Sequence, residues 1–580
     1  MKKWLVYPLA LTLLLTSGCG KQNAVDPTTE PSDGATASLE VQSDPDMFTD
    51  RDRNSQYTAN GSVRIELNGN TATATSNSVL IEGSTITLTA EQTYILSGHL
   101  EQGKIVIDAG ENDKPQLVFE GVTVNSKTSA LEIIEADKVF ITLADGTENA
   151  FTGAEAAVYS KQDLTFNGAG SLTVSSTASH GITCKDDLVF TGGRYTVNSA
   201  SHGLDANDSI RITGDVSMTV EAGKDGIHCE NSDDSEKGFV YAEQGNLKIT
   251  AQGDGISAGS YVKLLNDNVT ITAGGGSVNG NKANSGSFGD FMGGGRPPRP
   301  RAVENTTTEE TTSMKGVKAV GEITLHNGTF LMDTADDTIH SNSAITVNGG
   351  SFEFSSGDDA FHADETLTIN AGTFNIKTSY EALEAHKIYV RGGELELHAK
   401  DDGINAAGGQ DSSGTEGGRD GMFGGGRPGG HFGGGNSTGL IEVSGGSLKI
   451  YSSGDCLDAN GSITISGGAL YVTNPTSGDT SVLDSDNGAA ITGGSFIGVG
   501  ASAMMAQSFA NHSTQGVIAG TVGSQKAGTM VTVTDTAGNT LVSFEAEYDF
   551  ILVILSTPEM VKGETYTLTV GDLIHTTQAT

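Results

Sequence analysis

The sequence predicts an all-β chain: a right-handed parallel β-helix with three strands per coil, closed at its C-terminal end by a small β cap. Three observations predict it. A motif carrying acidic residues and histidines recurs about every 22 residues. Short stretches of alternating apolar and polar residues, bounded by Gly, Asn and Asp, dominate the chain. Glycine supplies 79 of 580 residues while aromatics are only 6%. That is too few large side chains for a conventional core of this size, but enough for a thin solenoid column of Ile, Val, Leu and Ala.

The repeat reads Ser201-His202-Gly203-Leu204-Asp205-Ala206, then Lys224-Asp225-Gly226-Ile227-His228-Cys229. It returns from Asp336-Asp337, Asp358-Asp359, Tyr380-Glu381 and Asp401-Asp402. In the coil starting at Asp337, the first strand carries Ile339 and Ser341. The second carries Ile345 and Val347 and ends at Asn348-Gly349-Gly350, and the third carries Phe352 and Phe354. The next two coils repeat this grammar, which gives roughly 17 coils up to about residue 500. The helix is therefore assigned to 56–500, with glycine-rich insertions at 284–313 and 408–438 that cannot pack a core. Strands on a different rhythm after 501 make the cap, 501–580, since a solenoid needs its ends covered.

Residues 1–18 read as a signal peptide: Lys2 and Lys3 precede an apolar run too short for a stable membrane span. Thr16-Ser17-Gly18 before Cys19 marks Cys19 as a lipidation site, with ordinary cleavage as the alternative. Residues 19–55 read as the lipidated N-terminus and a flexible polar tether. The expected location is thus the bacterial cell surface, outside the cytoplasm, with membrane contact only through the lipid. Cys184 and Cys229 share a column two coils apart, beyond disulfide reach, and Cys456 lies in another column. All three read as small core residues. A formal net charge of −39 excludes nucleic acid as a partner and favours multivalent cations.

Stacking turns each repeated polar position into a ladder with steps of about 4.8 Å. The Ile339 column is apolar and faces inward, so the intervening column, which includes Lys318, His340, His362, Glu384 and Asn405, faces outward. The column two residues earlier is uniformly small, from Gly203 to Cys456, and predicts a groove floor. Asp337, Asp359, Glu381 and Asp402 stand at the strand entrance, with Asp336, Asp358 and Asp401 beside them. Carboxylates stacked this closely repel unless a cation lies between them. Ca²⁺ suits them, taking six to eight oxygens in flexible geometry. These seven carboxylates are the expected Ca²⁺ ligands. Lys315, Lys318, His340, His362, Glu384 and Asn405 are the expected glycan contacts. A transition metal at the histidines, and a purely structural Asp ladder bonded to corner amides, are the alternatives.

These residues resemble the carbohydrate-binding β-helix domains of clostridial-type cell-surface lipoproteins, which bind cellulose and acidic sugars and look like polysaccharide lyases in fold. The resemblance rests on Lys315-Gly316-Val317-Lys318-Ala319, the two Asp-Asp pairs followed by His340 and His362, Tyr380-Glu381-Ala382-Leu383-Glu384, Asp401-Asp402-Gly403-Ile404-Asn405-Ala406 and Gly563-Glu564-Thr565-Tyr566-Thr567-Leu568. It implies bound Ca²⁺ and polysaccharide recognition. Thr338 and Cys456 depart from the usual glycine or alanine.

The leading reading is a monomeric, non-catalytic, calcium-dependent polysaccharide-binding lipoprotein. The only tryptophan, Trp4, lies in the signal segment, so acidic or soluble glycans are preferred over flat crystalline glucan. A pectate-lyase-like enzyme is the second reading; its β-elimination needs a base of lowered pKa, for which Lys315, Lys318, Lys387 and Arg391 are the nearby candidates. A surface adhesin or spacer is the third.

Overall fold

A computed structural model describes residues 43–231, 233–280, 313–406, 438–478, 480–510 and 512–580. The signal segment, Cys19 and nearly all of both glycine-rich insertions lie outside the described residues.

Three parallel ladders build a β-solenoid of about 15 turns. The first ladder pairs Leu204 with Ile227, Ile227 with Ile256, Ile256 with Val317 and Val317 with Ile339. It continues through Phe361, Leu383, Ile404 and Leu457. Apolar residues alternate inward along every strand, and the column they form is buried throughout. Both insertions enter at corners, so the pairing Ala258 to Ala319 runs across the first one without a change of register. The turns number fewer than the repeat predicts because the early ones are longer: Ile65 pairs with Leu96, and Val124 with Phe151.

Like residues stack on like. Phe330, Phe352 and Phe374 lie face to face inside the column, at 4.9 and 4.7 Å. The corner between second and third strands places Gly350, Gly372 and Gly393 at φ of 109°, 124° and 98°, in the left-handed region. That explains the recurring glycine pair in the sequence.

Both ends are covered. At the N-terminal end, Val63–Gly69 pairs antiparallel with Ala72–Ala74, and Val79–Glu82 with Thr85–Leu88. At the other end the last parallel strand, Ser495–Gly500, is met antiparallel by Phe550–Ser556. A separate four-stranded antiparallel sheet follows, with its own core of Val531, Val533, Phe544, Tyr566 and Leu568. Two strands of this cap, Ile518–Gln525 and Leu573–Gln578, escape the sequence reading.

The tether differs from expectation. Residues 44–54 do not hang free but run along one face of the solenoid. Asp44 bonds Lys263 at 2.7 Å, and its amide donates to the Tyr241 hydroxyl at 3.0 Å. Arg211 donates to the Met47 carbonyl at 2.8 Å. Asp52, only 1% exposed, takes Lys138 at 2.8 Å and the Thr165 hydroxyl at 2.7 Å. The segment is polar because its partners are polar, a pairing composition alone does not reveal.

Cys184, Cys229 and Cys456 are buried free thiols. Cys184 and Cys229 both pair with Ala206, one on each side.

Candidate functional site

Each first strand begins just after a corner, and the residue two places before its leading apolar side chain sits on that corner. Reading up the coils, this column is His180, His202, Asp225, Asp254, Lys315, Asp337, Asp359, Glu381, Asp402 and Asp455. A common hydrogen bond runs through much of it: the side chain accepts the backbone N–H of the same position one coil later. Asp254 N–H donates to Asp225 at 2.8 Å, and Lys315 N–H to Asp254 at 2.8 Å. Asp359 N–H donates to Asp337 at 3.1 Å, and Glu381 N–H to Asp359 at 3.0 Å. His202 accepts the Asp225 N–H through Nδ1 at 3.3 Å. The corner ladder is therefore structural through one oxygen of each of these carboxylates.

The second oxygen carries the charge chemistry. Lys315 Nζ lies 2.7 Å from Asp337 and 2.9 Å from Asp336. His340 Nδ1 is 2.8 Å from the same Asp337 oxygen. One coil on, His362 Nδ1 is 3.3 Å from Asp359 and 2.7 Å from Glu384, and its Nε2 is 3.3 Å from Asp364. Asn405 donates from Nδ2 to both Glu381 oxygens at 2.8 Å.

Three expectations need correction. First, His340, His362, Glu384 and Asn405 alternate away from the apolar column but do not stand exposed; each is at most 5% accessible, with His340, His362 and Asn405 spent on carboxylates and Glu384 on His362. Second, Lys315 is no glycan contact: it is 2% exposed and locked between Asp336 and Asp337. Lys318, by contrast, keeps a third of its side chain accessible, 3.8 Å from Asp254. Third, the small column is no groove floor. A Cβ on Gly203, Gly226 or Gly403 would come within 2.3 Å of Val220, Ile249 or Ile450. Thr338 bonds Thr334 inside the coil, and Cys456 bonds Ser452. Strand alternation resets at the corner, so this column points into the core and is small because the core leaves no room.

The electrostatics divide the ladder. Burial alone would raise the Asp337 carboxyl, but Lys315 and His340 outweigh it and hold it well below the usual range. Glu384 is likewise held low against its burial by His362. Burial with crowding from Asp358 and Glu384 drives Asp359 well up. The same combination raises Glu381, beside Glu384, Asp359 and Asp402, and raises Asp402, beside Asp401 and Asp458. His362 is pushed well up, the pull of Glu384 and Asp359 overcoming its burial, whereas burial and Lys315 hold His340 down. The surroundings thus favour the neutral form of His340 and the protonated form of His362.

On this ladder, from Asp359 to Asp402, the described residues set four crowded carboxylates against a single cation, His362. The buried Asn405 Oδ1 has no hydrogen-bond partner among them. A buried amide oxygen left over beside under-compensated carboxylates fits a hard divalent cation, which takes oxygen ligands and supplies the missing charge. Asp358, Asp359, Glu381, Glu384, Asp402 and Asn405 would supply those oxygens, while Asp336 and Asp337 already hold an ammonium.

Sequence reasoning missed Asp254, Asp364, Asp455 and Asp484. Asp254 and Asp455 sit in the corner column, which the insertions obscure. Asp455, Asp458 and Asp484 form a second, half-buried acidic group, with Asp455 raised to about 8 and Asp458 to about 7, each first by burial.

The sequence is similar to those of known proteins. A family model described as carbohydrate-binding domain-containing protein matches residues 82–360. Its match ends at the coil of Asp359, before Glu381 and Asp402. A carbohydrate-binding domain-containing protein of Acetivibrio thermocellus is 31% identical over 289 residues, covering 47% of this chain and 92% of that protein. A solved structure described as the polysaccharide lyase-like protein from C. thermocellum, gadolinium derivative, is 30% identical, with a TM-score of 0.35, covering 37% of this chain and 92% of its own. With a corner ladder on a parallel β-solenoid and a relative matched over nearly its whole length, the chain belongs to the carbohydrate-binding domain-containing family.

Proposed function

We propose that this protein is a non-catalytic, calcium-dependent polysaccharide-binding protein of the bacterial surface, held to the membrane by a lipid on Cys19, and that it prefers acidic or soluble glycans. The observation that carries the reading is the run from Asp359 to Asp402, with its raised carboxylates and the leftover Asn405 Oδ1. Ca²⁺ there relieves the repulsion. Asp401 and Asp402 are only half-buried and give the ion a way in. A uronate oxygen completing the coordination shell would bridge an acidic sugar to a chain of strongly negative charge. Lys318, half-exposed three coils from Glu384 in the same ladder, offers a cationic contact farther along the axis.

The lyase reading loses one of its candidate bases. Elimination needs a side chain able to take a proton near neutral pH. Lys315 is pushed up instead, the pull of Asp337 and Asp336 overcoming its burial, so its ammonium does not give up a proton.

The test pairs calorimetry with glycan binding. Ca²⁺ should bind the chelator-stripped protein and raise its melting temperature. Glu381→Gln with Asp402→Asn should abolish that rise, and polygalacturonate binding should need Ca²⁺. Equal glycan binding in chelator refutes the calcium dependence, and unsaturated, ultraviolet-absorbing products refute the non-catalytic assignment.

A further inference from the structure

Lower on the same ladder, the side chains gather differently. The strands Leu204–Ala206 and Ile227–Cys229 pair in register. His202 precedes the first of them, while Asp225 and His228 flank the start of the second. His202 Nδ1 lies 3.2 Å from Asp225 Oδ2, and His228 Nδ1 lies 3.1 Å from that same oxygen. The two imidazoles stack with centroids 4.3 Å apart and planes at 21°. Higher up, His340 and His362 also stack, at 4.8 Å, but their Nδ1 atoms turn to different carboxylates, His340 to Asp337 and His362 to Glu384 and Asp359. At Asp225, by contrast, two histidine nitrogens converge on one oxygen.

We propose that His202, Asp225 and His228 form a site for a borderline transition-metal dication such as Zn²⁺, separate from the Ca²⁺ run. Two imidazole nitrogens and one carboxylate oxygen are the donors such an ion takes, and Ca²⁺ does not favour them. Tetrahedral coordination with bonds of about 2.0–2.1 Å sets donor atoms about 3.3 Å apart. The two spacings to Asp225, 3.1 and 3.2 Å, lie close to that value, and all three donor atoms lie within 4.8 Å of one another.

The donors are also held in place. Asp225 Oδ1 is fixed by the Asp254 amide at 2.8 Å, which leaves Oδ2 aimed at the rings. His180 stacks on the outer face of His202 at 5.0 Å. Glu230 stands 3.5 Å from His228 Nε2, where a carboxylate orients a metal-bound imidazole and raises its basicity. The competing bond, from the Asp225 N–H to His202 Nδ1, is at the weak limit of 3.3 Å. The three side chains keep 14, 15 and 21% of their surface, so solvent or a ligand group reaches a fourth position. Higher up, Lys315 sets an ammonium directly on the corner carboxylates. Beside His202 the lysine contact is a looser one, Lys185 on Asp205 at 3.8 Å.

The test is Co²⁺ and Zn²⁺ titration of the chelator-stripped full chain, read by calorimetry and by the visible ligand-field spectrum of Co²⁺. One equivalent of Co²⁺ should give an intense tetrahedral-type spectrum. Zn²⁺ should erase it, and a large excess of Ca²⁺ should not. His202→Ala and His228→Ala should each lose the spectrum while keeping the wild-type far-ultraviolet circular dichroism, and His362→Ala should keep it. Absence of the spectrum at millimolar Co²⁺, its survival in the His202→Ala, His228→Ala double variant, or its loss only in His362→Ala overturns the assignment. Loss of Ca²⁺-dependent glycan binding with the spectrum intact would strike the proposed function and leave this site standing.

Discussion

Asp267 offers the sharpest test of how this solenoid stores electrostatic cost. It opens the strand Asp267–Ala273, opposite Gly328, and is fully buried. Its Oδ1 shares the small space over Gly245 with Ile212 and Leu247, and neither carboxyl oxygen has a hydrogen-bond partner of normal geometry. Burial pushes the carboxyl up from 3.8 to about 7, with the Asn266 and Leu265 amides offsetting part of the rise. A rise of that size is worth about 4 kcal/mol in favour of the neutral form. Below pH 3.8 the group is protonated folded or unfolded and contributes nothing to the pH dependence. Between 3.8 and about 7 the folded state retains a proton that the unfolded chain has lost, so stability falls by about 1.4 kcal/mol for each pH unit. Above about 7 the loss levels off. Asp267→Asn is neutral at every pH, so its stability relative to wild type should climb by about 4 kcal/mol from about pH 4 to about pH 8. Paired melts of the two proteins by circular dichroism across that range measure the climb. Any fixed cost of burying the amide moves the whole curve and leaves its slope alone. A difference that stays flat with pH refutes the reasoning.

Lys315→Met strands Asp336 and Asp337 without their ammonium, which should cost about 3–5 kcal/mol in chelator; Ca²⁺ should restore more melting temperature than in wild type, and equal restoration would refute ion replacement. Asp52→Ala leaves Lys138 buried without its carboxylate and should release residues 44–54, seen as faster amide exchange there and tryptic cutting at Arg51 and Arg53, while unchanged protection would show that the segment is held otherwise. The raised carboxyls of Asp359, Glu381 and Asp402 must ionise to hold Ca²⁺, so affinity should strengthen with rising pH and binding should release protons. Calorimetry in two buffers of different ionisation heat reads that release, and no buffer dependence would refute it.

Much of the fold was legible because a solenoid writes its period into the chain. Ile339, Phe361 and Leu383 fall on one column both in sequence and in space. The N-terminal segment was not legible for a physical reason. Asp44, Asp52 and Arg53 make the composition of a tether, and their partners Lys263, Lys138 and Glu243 lie far along the chain. No local pattern distinguishes a polar strand of chain bound by distant charges from one left in water.

The site was legible as a ladder but not as an exposed groove. Alternation inside a strand assigned His340 and His362 to the outer side, yet alternation says nothing about what lies over them. At the corner it fails outright, which is why Gly203, Thr338 and Cys456 point inward. The corner column bears on the choice between a structural and a functional ladder: Asp225, Asp254, Asp337, Asp359 and Asp402 each hold the next coil's amide through one oxygen, which leaves the other for their neighbours' charges, whereas Glu381 gives both oxygens to Asn405.

What separates the neighbourhoods along this ladder is a single coil. Lys315 enters the column in place of a carboxylate, and Lys318 stands one strand face away from it. Lys315 sets one ammonium between Asp336 and Asp337 above, while Lys318 eases Asp254, which burial and Asp225 otherwise push up. The coil therefore acts as an electrostatic divider. Below it, the carboxylate of Asp225 is met by imidazoles, and its pKa is held low against its burial by His202 and His228. Above it, carboxylates from Asp359 to Asp402 crowd, and among the described residues of the ladder His362 is the cation that offsets them. One repeated backbone corner thus presents nitrogen-rich and oxygen-rich environments within a few strand spacings, and the change from one to the other is set by which residue the repeat places two positions before its leading apolar side chain.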